Sequence, residues 1–171
     1  MEEARVEAIF TTAEGSAPME RREYVDAIEG GLRGDRYCRG TGHYTPYDVC
    51  EVTLIDAAAI DRIREEHGID LSGSEHRRNL VVRGADLEAL LDATVRVGDA
   101  LLRGTRRRPP CAHVEEVAGE AGLARALKGS GGICADVVEA GRIREGNGLE
   151  LVEADPRTVG ERIADRLRGD D

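Results

Sequence analysis

The chain has 171 residues, a formal net charge of −10 and only 3% aromatic residues. An acidic excess of this size argues against broad binding to nucleic acid or to anionic membranes, because both require a basic face. The length fits one domain, and the 40% hydrophobic content indicates a core built mainly from aliphatic side chains.

The N-terminus is acidic and lacks the apolar segment of a secretory signal. No stretch of the chain approaches the roughly 20 apolar residues of a membrane-spanning helix. We therefore expect a cytoplasmic protein whose four cysteines are reduced.

The first predicted strand covers residues 5–12, where apolar side chains alternate with polar ones. Asp56 is placed to cap a helix over 57–66 that ends at Gly68, and Asp86 to cap a shorter helix over 87–91. Further helices are predicted at 114–118, 121–127 and 156–168. The remaining strands are predicted at 24–28, 49–55, 80–82, 94–97, 100–105, 133–140 and 149–152.

Short strands interleaved with a few helices indicate a mainly β, α+β fold. The tight turn at 97–100 is typical of an antiparallel hairpin, and no glycine-rich βαβ unit is evident. We therefore expect a closed or nearly closed β-barrel with short peripheral helices.

Arginines are grouped in three parts of the chain, although Lys128 is the only lysine. The planar fork of arginine suits phosphate and carboxylate, so these groups predict one converging anion site. The alternative is that arginine is simply the default cation of an acidic, lysine-poor, salt-adapted protein. The groups are Arg33, Arg36 and Arg39, then Arg77, Arg78 and Arg83, then Arg103 and Arg106 to Arg108.

The segment 106–113 joins three arginines to two prolines, Cys111 and His113. Nearby positive charge favours the thiolate, which is the nucleophilic and metal-binding form of cysteine. The alternative is a surface turn with an inert Cys111. His113 could tune this thiol or cap the following helix. The other cysteines form no CxxC pattern, and we expect Cys50 and Cys134 to be buried as small apolar residues.

Four segments, taken in order, resemble the MOSC domain. They are Gly-Leu-Arg-Gly-Asp-Arg-Tyr at 31–37, Arg-Arg-Asn-Leu-Val-Val-Arg-Gly at 77–84, Val-Arg-Val-Gly-Asp at 95–99 and Pro-Cys-Ala-His at 110–113. MOSC domains occur at the C-terminus of molybdenum cofactor sulfurases, in mitochondrial amidoxime-reducing proteins, and as short stand-alone proteins. The resemblance implies one MOSC domain over residues 1–171, of the stand-alone type, with its core at about 24–152.

The resemblance also implies a β-barrel that binds the molybdenum–pterin cofactor. By its place in the motif, Cys111 matches the family cysteine that ligates molybdenum or carries a persulfide. Arg77, Asn79 and Arg36 match residues that contact the pterin and its phosphate, and the resemblance extends to Arg33 and Arg78. Prolines stand before the cysteine, where some relatives have a polar or basic residue, so Arg108 is expected to serve instead.

Three functions are compatible with this resemblance. The first is a small oxidoreductase that reduces N-hydroxylated or N-oxide compounds, with electrons from a separate donor protein. The second is a sulfur carrier with a persulfide on Cys111, which requires a cysteine desulfurase in trans because the chain has no pyridoxal-phosphate domain. The third is a non-catalytic cofactor-binding module. We expect a small-molecule substrate, no nucleic-acid or membrane partner, and allow for an oligomer.

Overall fold

The computed structural model describes residues 3–13, 18–35, 50–73, 76–108, 122–127 and 131–153. The helical elements among these residues are α1 (Ala57–His67), a 3-10 helix (Leu87–Leu90) and α2 (Leu123–Ala126). The strands are β1 (Arg5–Thr11), β2 (Glu20–Arg22), β3 (Tyr24–Ile28), β4 (Gly31–Leu32), β5 (Val52–Asp56), β6 (Leu80–Arg83), β7 (Thr94–Val97), β8 (Ala100–Arg107), β9 (Ile133–Glu139), β10 (Gly141–Arg144) and β11 (Leu149–Glu153). The helices predicted at 114–118 and 156–168 lie outside the described residues.

Eight strands form one large sheet in the order β11-β7-β8-β9-β5-β6-β1-β2, and β10-β3-β4 form a smaller one. The predicted mainly β, α+β class is confirmed. Within the described residues the large sheet is mixed and does not close into a barrel. The segments next to its two edges are hydrogen-bonded at one corner. There Arg5 bridges Gly148, the backbone N–H of Val6 donates to the Asn147 carbonyl at 2.8 Å, and that of Gly146 donates to the Val6 carbonyl at 2.7 Å.

Antiparallel pairing, predicted from the turn at 97–100, is confirmed for β7 and β8. However, β5 and β6 are parallel, with Leu54 opposite Leu80. Parallel neighbours require a crossover, and α1 supplies it. The βαβ unit therefore exists, although it lacks the glycine-rich turn by which such units are recognised.

Helix α1 begins and ends at the predicted capping residues. The Asp56 carboxylate accepts a hydrogen bond from the Ala58 N–H at 2.9 Å, which satisfies a donor that the first helical turn leaves open. Gly68 adopts a left-handed conformation with φ of 66° and donates its N–H to the Arg64 carbonyl, as a helix-ending glycine commonly does.

The central strands are buried on both faces, because alternate side chains enter two separate apolar clusters. In β1, Val6 and Ile9 belong to one cluster and Phe10 to the other. In β5, Leu54 and Ile55 divide in the same way. The second cluster also contains side chains from both helices, so the helices cover one face of the sheet, and the interior is largely aliphatic as expected.

Cys50 and Cys134 are buried as predicted, but the expectation that they are reduced is wrong. A disulfide joins them, with their Cα atoms 5.4 Å apart. The bond links Cys50, two residues before β5, to the second residue of β9, and these positions are 84 residues apart in the sequence. Sequence spacing missed the pair because the pairing of β5 with β9 brings the two cysteines together.

None of the helices in the described part of the chain has the length and apolar character needed to cross a bilayer.

Glu51, next to the disulfide, lies against Asp136 of β9. Burial raises the pKa of both carboxyl groups, and the hydrogen bond between their side chains raises that of Glu51 further. The Glu51 carboxyl also accepts a hydrogen bond from the Val137 N–H at 3.3 Å. The pair therefore favours a proton on Glu51.

We predict that Glu51→Gln stabilises the protein at pH 7. Since the folded-state pKa values lie above the unfolded ones, the pair's favourable contribution is present at acidic pH and is lost as pH rises through the raised values. A neutral amide can keep both hydrogen bonds, and the gain should be at most about 1 kcal/mol because both groups remain partly exposed. Urea unfolding at pH 4 and pH 7 measures the change in the free energy of unfolding, with Glu150→Gln on exposed β11 as the control. A larger gain at pH 4 than at pH 7 would contradict the prediction.

Candidate functional site

Several strand ends meet at one end of the large sheet. The Phe10 N–H donates to the Asn79 carbonyl at 2.7 Å, and the Arg108 N–H donates to the Gly132 carbonyl at 2.8 Å. We call this end the mouth and define it by Thr12, residues 76–79, Arg108 and residues 131–132. Segments 36–49, 74–75, 109–121 and 128–130, outside the described residues, join the chain at Asp35, His76, Arg108 and Gly131.

Asn79 joins three strands at the mouth. Its Oδ1 atom accepts hydrogen bonds from the N–H and from the hydroxyl of Thr53, both at 3.0 Å. Its own N–H donates to the Thr53 hydroxyl at 2.9 Å, and Nδ2 donates to the Phe10 carbonyl at 3.1 Å. Because Oδ1 and one amide hydrogen serve the framework, Asn79 acts mainly by holding β1, β5 and β6 together.

Arg78 and His76 brace the same corner. The Arg78 guanidinium donates to the carbonyl of Gly131 at 2.7 Å and to that of His76 at 3.1 Å. The His76 Nδ1 atom accepts a hydrogen bond from the Arg78 N–H at 2.9 Å, so the neutral ring carries its proton on Nε2. The His76 ring also packs edge-on against Phe10. Arg78 thus ties the start of β6 to the start of β9.

Arg77 has an unusual backbone conformation, with φ of 62°. A side chain longer than that of asparagine rarely occupies this left-handed region, which costs roughly 1–2 kcal/mol. Arg77 as a whole is also only 6% exposed. The fold therefore keeps a buried guanidinium at the mouth in a conformation that glycine would adopt with less strain.

Arg108 directly follows β8 at the mouth and is 8% exposed. Its backbone N–H is hydrogen-bonded to the Gly132 carbonyl. Gly132 has a φ of 89°, and a Cβ added there would collide with the Leu54 carbonyl. Gly132 allows β9 to lie directly against β5 at this point. This close approach brings Arg108 beside the Gly131 carbonyl that holds Arg78.

The structure brings some of the grouped arginines together. Arg77, Arg78 and Arg108 come together at the mouth, but Arg33 is exposed and lines a shallow cleft with Arg21 and Tyr24. The predicted site residues Arg36, Cys111 and His113 lie outside the described residues. Their predicted roles therefore stay predictions.

Other arginines of the same groups bind carboxylates elsewhere. Arg83, at the far end of β6, donates to Glu7 at 2.8 Å and to Asp61 at 3.0 Å. Arg107 lies on the surface and forms a bidentate pair with Glu88. These pairs show that only some arginines of the second and third groups lie at the mouth.

Three residues of the mouth and its frame were not among the predicted site residues. His76 and Thr53 are fully buried and make the hydrogen bonds described above. Asp35 is fully buried too, and its carboxylate accepts the Thr12 N–H at 3.1 Å. Adjacency to Arg77 could have drawn attention to His76, whereas Thr53 stands in an apolar strand whose partner is distant in sequence.

The mouth suits an anion. Among its described residues it has three arginines, and the Asp35 carboxylate accepts the Thr12 N–H at the end of β1. Phosphate is a favourable ligand for such a set, because arginine forms paired charge-assisted hydrogen bonds with its oxygens. No group of three or more histidine, cysteine or acidic side chains placed to hold a metal ion occurs in the part of the chain that the structure describes.

Comparison with known proteins finds a matching family model and several similar structures. The MOSC domain family model matches residues 42–150. Three solved structures are similar. YuaD from Bacillus subtilis has a TM-score of 0.73 and 19% identity, over 88% of this chain and 96% of that chain. YiiM from Geobacillus stearothermophilus has a TM-score of 0.68 and 16% identity, over 88% of this chain and 75% of that chain, and YiiM from Escherichia coli has a TM-score of 0.65 and 17% identity, over 94% and 76% of the two chains. At these identities the likeness establishes the fold alone. No curated protein matches the chain.

We predict that Thr53→Val destabilises the protein more than Thr53→Ser. Valine keeps the volume but removes the hydroxyl that serves Asn79, and leaving buried polar groups unsatisfied costs about 1–3 kcal/mol. Serine keeps the hydroxyl and loses one methyl group, worth about 1 kcal/mol. Equilibrium unfolding in urea compares the two variants. A valine variant as stable as the serine variant would show that the Thr53–Asn79 hydrogen bonds contribute little.

Proposed function

The chain belongs to the MOSC domain family, and we propose that it is a small oxidoreductase that binds the molybdenum–pterin cofactor at the mouth. MOSC domains are often associated with this cofactor. The observation that carries the proposal is the cluster of buried arginines from which the segment with Cys111 departs.

The residues at the mouth fit the phosphate-bearing part of the cofactor. Arg77 and Arg108 present guanidinium groups in a mostly buried setting, where charge-assisted hydrogen bonds to phosphate are strong. The protein as a whole carries a net charge of −10, whereas this end of the sheet has a local concentration of arginines. Arg36, joined to the mouth through Asp35, is proposed to add a further cation.

The strained backbone of Arg77 supports a functional role for this residue. A left-handed arginine with φ of 62° lowers stability and persists only where the surrounding structure enforces it. Here the enforcing structure is the framework of Asn79, Arg78 and Gly131. We propose that Arg77 directly binds the anionic part of the cofactor, while Arg78 and Asn79 position the strands around it.

Cys111 is three residues beyond Arg108, a chain length that spans at most about 11 Å. The hydrogen bond from Arg108 to Gly132 therefore keeps the cysteine within reach of the mouth. Thiolate is a suitable ligand for a soft transition metal, and we propose that Cys111 ligates molybdenum. His113 is proposed to tune this thiolate, as in other cysteine–histidine pairs.

When bound, the cofactor supplies two-electron redox chemistry at molybdenum. Reduction of an N-hydroxylated compound consumes two electrons and two protons, breaks the N–O bond and releases water. We propose that the electrons come from a separate electron-transfer protein. The task of this chain is then to bind the phosphate, hold the metal through Cys111 and admit a small substrate.

We predict near-stoichiometric molybdenum and pterin in the protein purified from a host that makes the cofactor. The Cys111→Ala variant should contain at least tenfold less molybdenum. Metal analysis and pterin fluorescence measure both, with Cys38→Ala as the control cysteine. Reduction of a hydroxylamine with an artificial electron donor should fall in parallel.

Absence of both molybdenum and pterin from the unmodified protein would contradict the cofactor proposal. A persulfide mass shift on Cys111 in that metal-free protein would favour a sulfur carrier. Full cofactor retention by Cys111→Ala would instead indicate a binding module without a ligating cysteine.

We also predict that the Arg77→Gly variant retains the fold but contains at least tenfold less bound pterin. Glycine accepts the positive φ without strain, so the relief of about 1 kcal/mol offsets part of the lost side-chain packing. Arg107→Ala removes the same charge from a side chain that is 73% exposed and should keep its pterin. Thermal unfolding and pterin content are measured on both variants. A folded Arg77→Gly protein with full pterin content would remove Arg77 from the binding site.

A further inference from the structure

The disulfide between Cys50 and Cys134 lies directly behind the mouth. Both residues are buried, at 4% and 0% exposure, and the bond connects the segment just before β5 to the start of β9. We infer that this disulfide is a redox-sensitive clamp that sets the geometry of the mouth. This role is additional to the proposed cofactor binding and involves neither Cys111 nor a metal.

On β9, the disulfide is close in sequence to both carbonyls that hold arginines. Cys134 is two residues from Gly132, which accepts the Arg108 N–H at 2.8 Å. It is three residues from Gly131, which accepts the Arg78 guanidinium at 2.7 Å. A change in the position of Cys134 is therefore transmitted along the backbone to the anchors of Arg78 and Arg108.

On β5, the disulfide is linked to Asn79 through one residue. Thr53 is the ladder partner of Cys134, and Thr53 exchanges three hydrogen bonds with Asn79. The sulfur–sulfur bond thus adds a covalent tie between the strand that carries Thr53 and the strand that carries the arginine anchors. Loss of the bond leaves this junction held only by hydrogen bonds and packing.

The packing at this junction makes it sensitive to small movements. Gly132 lies so close to the Leu54 carbonyl that even a methyl group would not fit. Since no side chain fills the space between β9 and β5 at this point, the two backbones move directly against each other. A short shift caused by breaking the disulfide therefore reaches the mouth without being absorbed by a flexible side chain.

The redox step exchanges the pair with a low-molecular-weight disulfide. The Cys50 thiolate attacks one sulfur of that disulfide, forming a mixed disulfide and releasing one thiol. The Cys134 thiolate then attacks the Cys50 sulfur and releases the second thiol, so two electrons pass from the protein to the small molecule. Reduction by a dithiol reverses the step, and it begins at Cys50 because Cys134 has no exposed surface.

Amide hydrogen exchange of the intact protein, oxidised by glutathione disulfide or reduced by dithiothreitol, tests the clamp. In the reduced protein we expect at least tenfold faster exchange at the amides of Thr53, Asn79 and Arg108, whose hydrogen bonds form the junction. The control amides are those of Val6 and Asp99, which donate to carbonyls at the opposite corner and should be unchanged.

Peptide mass analysis without reductant assigns the disulfide in each sample. The double variant Cys50→Ala, Cys134→Ala should exchange like the reduced protein, and the reduced unmodified protein gives the same information if the variant does not fold. Equal exchange at all five amides in both states would overturn the clamp. A uniform increase at all five would also overturn it, because it would identify a cross-link that stabilises the whole fold only. A pair that dithiothreitol does not reduce in the folded protein would overturn the redox sensitivity.

Inorganic phosphate, titrated into the same samples, separates this inference from the proposed function. Weaker phosphate binding in the reduced state would support the clamp as a control of the anion site. Absence of phosphate binding in both states would count against the anion site, and the exchange pattern would still decide the clamp.

Discussion

The hydrogen bonds between Thr53 and Asn79 are the interaction on which the mouth depends. They connect β5 to β6 at the point where the two parallel strands begin, and the Asn79 side chain extends the connection to Phe10 of β1. Each group involved is buried, so breaking one bond exposes another polar group to an environment that cannot satisfy it. This framework sets where Arg77 and Arg78 leave the sheet, and their guanidinium groups give this end its positive charge.

The features that depend on neighbouring residues were predictable from the sequence. Asp56 and Gly68 mark the ends of α1 because capping involves only groups within one turn of the helix. The hairpin of β7 and β8 follows from its short turn. The strand at 94–97 has the predicted bounds because polar turns delimit it on both sides.

The features that depend on distant partners were not predictable in this way. The parallel pairing of β5 with β6 and the disulfide of Cys50 with Cys134 join residues far apart in the chain. The positions of the clustered arginines were equally hard to predict, because the sequence shows the charge but not the end of the sheet at which each side chain lies. Arg83 is four residues beyond Asn79, and the rise of about 3.3 Å per residue in a strand carries it to the other end of β6, where Glu7 binds it.

The disulfide also divides the sheet in a way that bears on how the protein comes apart. It closes a covalent ring that contains β5, β6, β7 and β8, and these strands with β9 are contiguous at the centre of the large sheet. Outside the ring lie β11 on one side and β1 with β2 on the other. These outer strands can open while the ring stays intact, so partial opening should start with them and reach the β9 side of the arginine mouth last.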